Sequence, residues 1–135
     1  MNKLIIYSDG GARGNPGPAA IGVVIYDDAG KEIKRISQSI GETTNNQAEY
    51  KALLAALKFA AEMKSESLVC HLDSELVVKQ MQGSYKIKEP TLQPLAQEAL
   101  RIMTQFKEVR FVHVRREKNK LADQLVNEAL DKLAN

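Results

Sequence analysis

Four carboxylates stand at positions where their chemistry is hard to ignore. Asp9 closes the apolar run LIIYSD, and Asp73 closes a second one, SLVCHLD. Glu49 lies four residues before Leu53 and eight before Leu57, so it shares the helix face that must pack inward. Asp123 falls in line with Val126 and Leu130 rather than on the polar face of the last helical stretch. Taken singly, each has an ordinary reading: Asp9 as a turn former, Asp73 as a helix cap, Glu49 and Asp123 as first-turn charges favoured by the helix dipole. Taken together they converge. If the strands ending in Asp9 and Asp73 are parallel neighbours, both carboxylates emerge at one carboxyl edge, where open α/β sheets form their ligand crevices. Clustered carboxylates repel and raise one another's pKa unless a divalent cation compensates them. Hard oxygen donors without Cys/His spacing suit Mg²⁺, with Mn²⁺ as a substitute. Two such ions about 4 Å apart form the clamp used in phosphoryl displacement.

The elements that must hold these groups alternate along the chain. LIIYSD (4–9), AIGVVIYD (20–27) and EIKRISQSI (32–40) read as three strands of an antiparallel meander. Residues 43–64 carry Leu53, Ala56, Leu57, Ala60 and Met63 at helical spacing, with Thr44 or Asn45 as the cap and a glutamate in the first turn. SLVCHLD (67–73) is a buried strand, 74–83 a short helix opened by Ser74 and ended by Gly83, and 91–106 an amphipathic helix. VRFVHV (109–114) supplies the last strand and 119–134 the last helix. A meander followed by strand–helix alternation implies an α/β fold with a mixed sheet, antiparallel on one side, parallel on the other, and covered by helices.

Composition narrows the setting. At 135 residues, 44% hydrophobic and 27% charged, the chain reads as one domain with a real core. Cys70, alone in LVCHL, has neither a disulfide partner nor a zinc spacing, which points to a reducing, cytoplasmic setting. The N-terminal apolar run is too short for a signal peptide, and no segment approaches the roughly 18 apolar residues of a membrane span. The net charge of +2 gives no bulk field, yet residues 107–120 gather six Lys or Arg against two Glu. The ordinary reading of that patch is a solvated face.

SDGGARGNPGPAAIG, TTNNQAEYKALLAAL, LDSELVVKQMQG and NKLADQLVNEA together resemble the type 1 ribonuclease H family, in the family's order and over nearly the whole chain. The resemblance makes Asp9, Glu49, Asp73 and Asp123 the catalytic metal site. It implies a ribonuclease H-like, five-stranded mixed sheet in the order 3-2-1-4-5 and hydrolysis of the RNA strand of an RNA/DNA hybrid to 5′-phosphate products. Double-stranded RNA stands as a second candidate substrate, and a monomer is expected. Gly10, Gly11, Gly14 and Gly17 are expected to clear side chains from an approaching nucleic-acid backbone, and Asn15 to offer its amide to a phosphate or sugar. Asn45, Asn46 and Gln47, whose ordinary role is capping, are placed by the resemblance in the hybrid's minor groove among 2′-hydroxyls. Ser74 serves as cap and as a sugar or phosphate contact.

Two departures from the family pattern stand out. GSYKIKEP (83–90) replaces the basic helix and loop that longer members use to grip the DNA strand, so the expectation is either a lower affinity for hybrid or an affinity borne by Lys86, Lys88 and the 107–120 patch. RREKNK is short and lacks the glycine-flanked histidine of many members, as in compact archaeal and some bacterial forms. His113 and His71, both inside strand patterns, read as packing residues, while Arg116, Glu117 and Asn119 remain as loop groups able to assist. Two other readings compete: a non-catalytic nucleic-acid-binding module, and another nuclease of the same fold such as a resolvase, integrase or exonuclease. The first would be favoured by loss of a carboxylate, and none is lost; the second shares the fold rather than the GNPG and TNNQAE stretches.

Overall fold

The computed structural model describes residues 2–134. Strand β1 (Lys3–Ala12) alternates, with Leu4 and Ile6 buried on one face and Lys3, Ile5 and Tyr7 half-buried on the other, the period-2 pattern of a strand between two layers. It pairs antiparallel with β2 (Gly17–Asp27) and parallel with β4 (Ser67–Leu72). β3 (Glu32–Thr43) adds antiparallel to β2, and β5 (Glu108–His113) adds parallel to β4. The sheet order is β3-β2-β1-β4-β5, as expected.

β1 runs beyond its expected end at Asp9. Its parallel ladder with β4 stops at Ser8–Leu72, whereas the antiparallel ladder with β2 continues through Gly10, Gly11 and Ala12. Glycines weaken a strand's intrinsic preference, but the backbone of β2 supplies the partners that carry β1 onward. Asp9 therefore sits inside a strand, at the point where that strand loses one neighbour.

Helices α1 (Asn45–Glu62), α2 (Glu75–Met81) and α3 (Gln93–Met103) cover one face of the sheet, and α4 (Lys120–Ala134) covers part of the other. Leu53, Leu57 and Ala60 of α1 meet Leu4, Ile6 and Cys70 in the main core, where burial pushes the Cys70 thiol up to about 12. The Tyr50 hydroxyl donates to Gln80 Oε1 at 2.6 Å inside that core, tying α1 to α2. On the other face, Val126, Ala129 and Leu130 pack on Ala20. α4 comes so close to β2 that a Cβ at Gly22 would strike the Ala122 carbonyl, so only glycine fits there. No helix among the described residues is long and apolar enough to cross a membrane.

Thr44 opens α1, its hydroxyl accepting from the Gln47 amide at 3.2 Å. Glu49 is then the fifth residue of the helix, not a first-turn charge. The helix-dipole account of its presence falls away, since that effect fades beyond the first turn.

Candidate active site

Three carboxylates meet at the end of the parallel ladder. Asp9 is held by β1, Glu49 by the inward face of α1, and Asp73 by the step from β4 into α2. One ligand oxygen from each lies within 4.8 Å of the other two. Asp9 and Glu49 are 7% and 8% exposed. Glu49 Oε1 accepts from the Gly10 amide, so backbone of β1 provides one partner for this inward glutamate. That bond depends on contact between strand and helix: a Cβ at Gly10 would collide with the Ala48 carbonyl and the Glu49 amide. Asp123 lines the same cleft of about 400 Å³ from the first turn of α4. It stands outside the close trio and pairs with the exposed Arg116 at 3.6 Å.

Burial and mutual repulsion fix the electrostatics. Asp9 is raised from 3.8 to about 7, first by burial and then by the charge of Asp73. Glu49 is raised well above the ordinary carboxylate range by burial and by Asp9. Asp73 is also raised by burial, partly offset by its hydrogen bond from Asn119 and by the charge of Arg116. Three carboxyls raised in one small volume form an acidic site in which, among the described residues, only Asp73 is partly offset by nearby positive charge. The donor set contains only carboxylate oxygens, and it fits a hard divalent cation.

The remaining expected residues divide. Gly10, Gly11, Asn45, Asn46, Ser74 and Arg116 line the cleft. Asn45 Oδ1 accepts from the Ala12 amide at 2.8 Å, and Asn15 Oδ1 accepts from the Asn45 amide at 3.0 Å. These oxygens knit the glycine-rich turn to α1, and no hydrogen bond engages either Nδ2 among the described residues. Gln47 Oε1 is taken by the Thr43 hydroxyl, and Ser74 caps α2 by accepting from Val77 at 3.2 Å. Lys86 lies on the exposed 83–90 stretch, outside the cleft lining.

Several expectations change. Gly10 and Gly17 are required by the fold itself, since a Cβ at Gly17 would strike the Arg13 carbonyl; Gly14 takes a positive φ of 106° in the turn. Of the four glycines in this stretch, Gly11 alone has ordinary space around an added Cβ, with Val126 Cγ1 3.6 Å away. Asn119 is not a loop group reaching for substrate. At 2% exposure it donates from Nδ2 to the Ser8 carbonyl at 2.9 Å and to Asp73 Oδ2 at 3.3 Å, which orients that carboxylate. His113 is not a packing residue: it ends β5 40% exposed, with Nδ1 4.0 Å from Glu75. His71 does pack, its ring stacked on Tyr7 and its Nδ1 3.1 Å from the Ile6 carbonyl. Arg13 was missed. It lines the cleft and pairs with Asp131 at 2.6 Å, pinning the turn to α4; its signal was being the lone cation within the glycine-rich stretch.

A mixed sheet flanked by helices, with acidic side chains gathered at the end of its central strands, defines a class. The family model described as reverse transcriptase-like matches residues 7–129. The ribonuclease HI of Halobacterium salinarum is 43% identical over 96% of this chain and 65% of its own length, and a bifunctional protein of Mycobacterium tuberculosis is 41% identical over 98% and 36%. This chain thus spans between about a third and two thirds of those curated relatives. A ribonuclease H1 isolated from compost, crystallised in complex with RNA/DNA hybrid, superposes with a TM-score of 0.91 at 50% identity, covering 98% of this chain and 99% of that one. The chain belongs to the ribonuclease H family.

Proposed function

We propose that the chain is a metal-dependent endonuclease that hydrolyses the RNA strand of RNA/DNA hybrids, without marked sequence preference, to products bearing 5′-phosphates. Its 135 residues act as a single catalytic domain, as a monomer, in the cytoplasm. The observation that carries this reading is the convergence of Asp9, Glu49 and Asp73 oxygens within 4.8 Å, with Asp9 and Glu49 buried. The family relationship and the relative crystallised with hybrid support the substrate class.

Asp9, Glu49 and Asp73 would hold Mg²⁺ or Mn²⁺, with Asp123 completing the set across the cleft; a pair of ions is the arrangement we favour. An ion held there would supply Lewis-acid polarisation of the scissile phosphate and a water able to attack at neutral pH. The chain's own part is to hold and release protons and to place the substrate. Burial and mutual repulsion raise the Asp9 and Glu49 carboxyls above the ordinary carboxylate range, so holding a cation there would be coupled to release of protons. Asn119 keeps Asp73 turned toward the trio, and Gly10 N–H does the same for Glu49. Hydrolysis joins the water oxygen to phosphorus and breaks the bond to the 3′-oxygen, which leaves protonated. The amides of Asn15, Asn45 and Asn46 lie along the route of the RNA strand, where their Nδ2 groups serve 2′-hydroxyl or phosphate oxygens. Arg116 provides a phosphate contact at the opposite rim.

The deciding experiment incubates purified protein with end-labelled hybrid, DNA duplex and RNA duplex in Mg²⁺, Mn²⁺ or EDTA. Hybrid cut in its RNA strand with either ion and intact in EDTA is the expected result. Hybrid that is bound but never cut would make the domain a binding module, and cleavage of the DNA duplex would make it another nuclease of this fold. The RNA duplex arm decides whether double-stranded RNA is a second substrate.

A further inference from the structure

A second cleft, of about 330 Å³, lies on the α4 side of the sheet. Ile5 and Tyr7 of β1 and Val24 and Tyr26 of β2 form its floor, and the segment from Lys118 to Ala122 forms one wall. The floor is aromatic. Tyr7 stacks on His71 of β4 with centroids 4.3 Å apart and planes 8° from parallel, and Tyr26 meets Tyr7 edge-on at 6.1 Å. Lys118 and Lys120 are exposed at the rim, make no ion pair among the described residues, and face no acidic side chain in the lining. Asp27, beside Tyr26, has its Oδ1 taken by the amides of Ala29 and Lys31. The acidic cleft uses none of these rings or lysines.

We propose that this cleft binds an unpaired nucleotide of a nucleic-acid strand, its base against Tyr7 and Tyr26 and its flanking phosphate between Lys118 and Lys120. Aromatic faces accept any base by stacking, and cations beside them take the backbone, which is the chemistry of single-strand recognition. The volume is at the small end of ligand sites and suits one planar ring system rather than a helix or a duplex. The 3₁₀ turn Arg116–Lys118 separates the two clefts, with Arg116 on the acidic side and Lys118 on the aromatic side. A strand leaving a hybrid at the first cleft therefore has a short route to the second. The inference goes beyond the hydrolytic reading and does not require it, because the test is run without metal.

Oligothymidylate and, separately, AMP are titrated in EDTA into isotope-labelled protein, and amide shifts are followed by NMR. Shifts at Ile5, Tyr7, Val24, Tyr26 and Lys118 to Leu121 are expected, with the oligonucleotide binding more tightly than AMP. Tyr26→Leu should weaken oligonucleotide binding about fivefold, the low end of one lost stacking contact. Lys118→Ala combined with Lys120→Ala should weaken it about tenfold and reduce the salt slope by about 0.7, the share of the one phosphate the two lysines hold on a single strand. Both lysines are exposed, so this variant stays folded even if the tyrosine variant does not. Shifts confined to Gly10 to Ala12 and Asn45, affinity unchanged in the lysine variant, or no saturable binding would each overturn the proposal. AMP binding as tightly as the oligonucleotide would assign the cleft to a free nucleotide and overturn the strand reading.

Discussion

Asp9 and Asp73 point their charges at each other across the end of the parallel ladder, so neutralising either should have opposite effects on activity and stability. Asp9→Asn or Asp73→Asn should lower hybrid cleavage by about 10²–10³-fold in steady-state assays, the scale of losing one preorganised electrostatic group. Each should raise the melting temperature in EDTA, because burial and repulsion hold both carboxyls above their ordinary range. A variant with wild-type activity at matched Mg²⁺ would remove that residue from the site. Asn119 predicts a different pattern, since its amide serves both the Ser8 carbonyl and Asp73. Asn119→Ala should cost about 1–3 kcal/mol in urea denaturation for the stranded buried carbonyl. It should also weaken Mg²⁺ binding about 10–100-fold by calorimetry, as when a ligand loses its orienting partner.

Elements decide which residues the chain could advertise in advance. The inward glutamate was legible because Glu49, Leu53 and Leu57 repeat at helical spacing in a strongly periodic segment. The pairing of Asp9 with Asp73 was legible because two apolar runs each end in an aspartate. What receives Glu49 was not, because the Gly10 amide carries no side-chain signature and its approach to α1 exists only once sheet and helix are packed. Gly22 was silent for the same reason: it sits inside an apolar strand, and its purpose is the Ala122 carbonyl of a helix a hundred residues later. Asn119 was misread because RREKNK looks like a polar loop, whereas the 3₁₀ turn Arg116–Lys118 tucks the residue that follows it against the Ser8 carbonyl of β1. These close approaches can be tested. Gly10→Ala should cost about 1–3 kcal/mol in urea denaturation, the scale of an overpacked interior. Gly11→Ala, with its nearest neighbour 3.6 Å away, should be tolerated.

For the molecule as a whole, the raised carboxyls set how stability responds to pH without metal. Asp9 titrates near 3.8 when unfolded and about 7 when folded. Below pH 4 both states hold the proton and the folded state bears no penalty. Between pH 4 and 7 the unfolded chain releases it while the folded one keeps it, so stability falls as pH rises through this window, by on the order of 4 kcal/mol for Asp9 by pH 8. Melting curves in EDTA should show that decline, and Asp9→Asn should flatten it. Saturating Mg²⁺ at pH 8 should restore the lost stability. Hybrid binding should weaken with salt, and Arg116→Glu should reduce the log–log slope by about one; an unchanged slope would leave Arg116 as a solvated partner of Asp123. One feature of the sheet reaches further. Because β1 parts from β4 after Ser8 yet stays with β2 through Ala12, the sheet forks at Asp9. The position of Asp9 relative to Asp73 is thereby set by strand register, since Asp73 directly follows the last residue of β4 that pairs with β1. The 83–90 connection lies outside the cleft lining, so a change in its length would leave the dimensions of the carboxylate site unchanged.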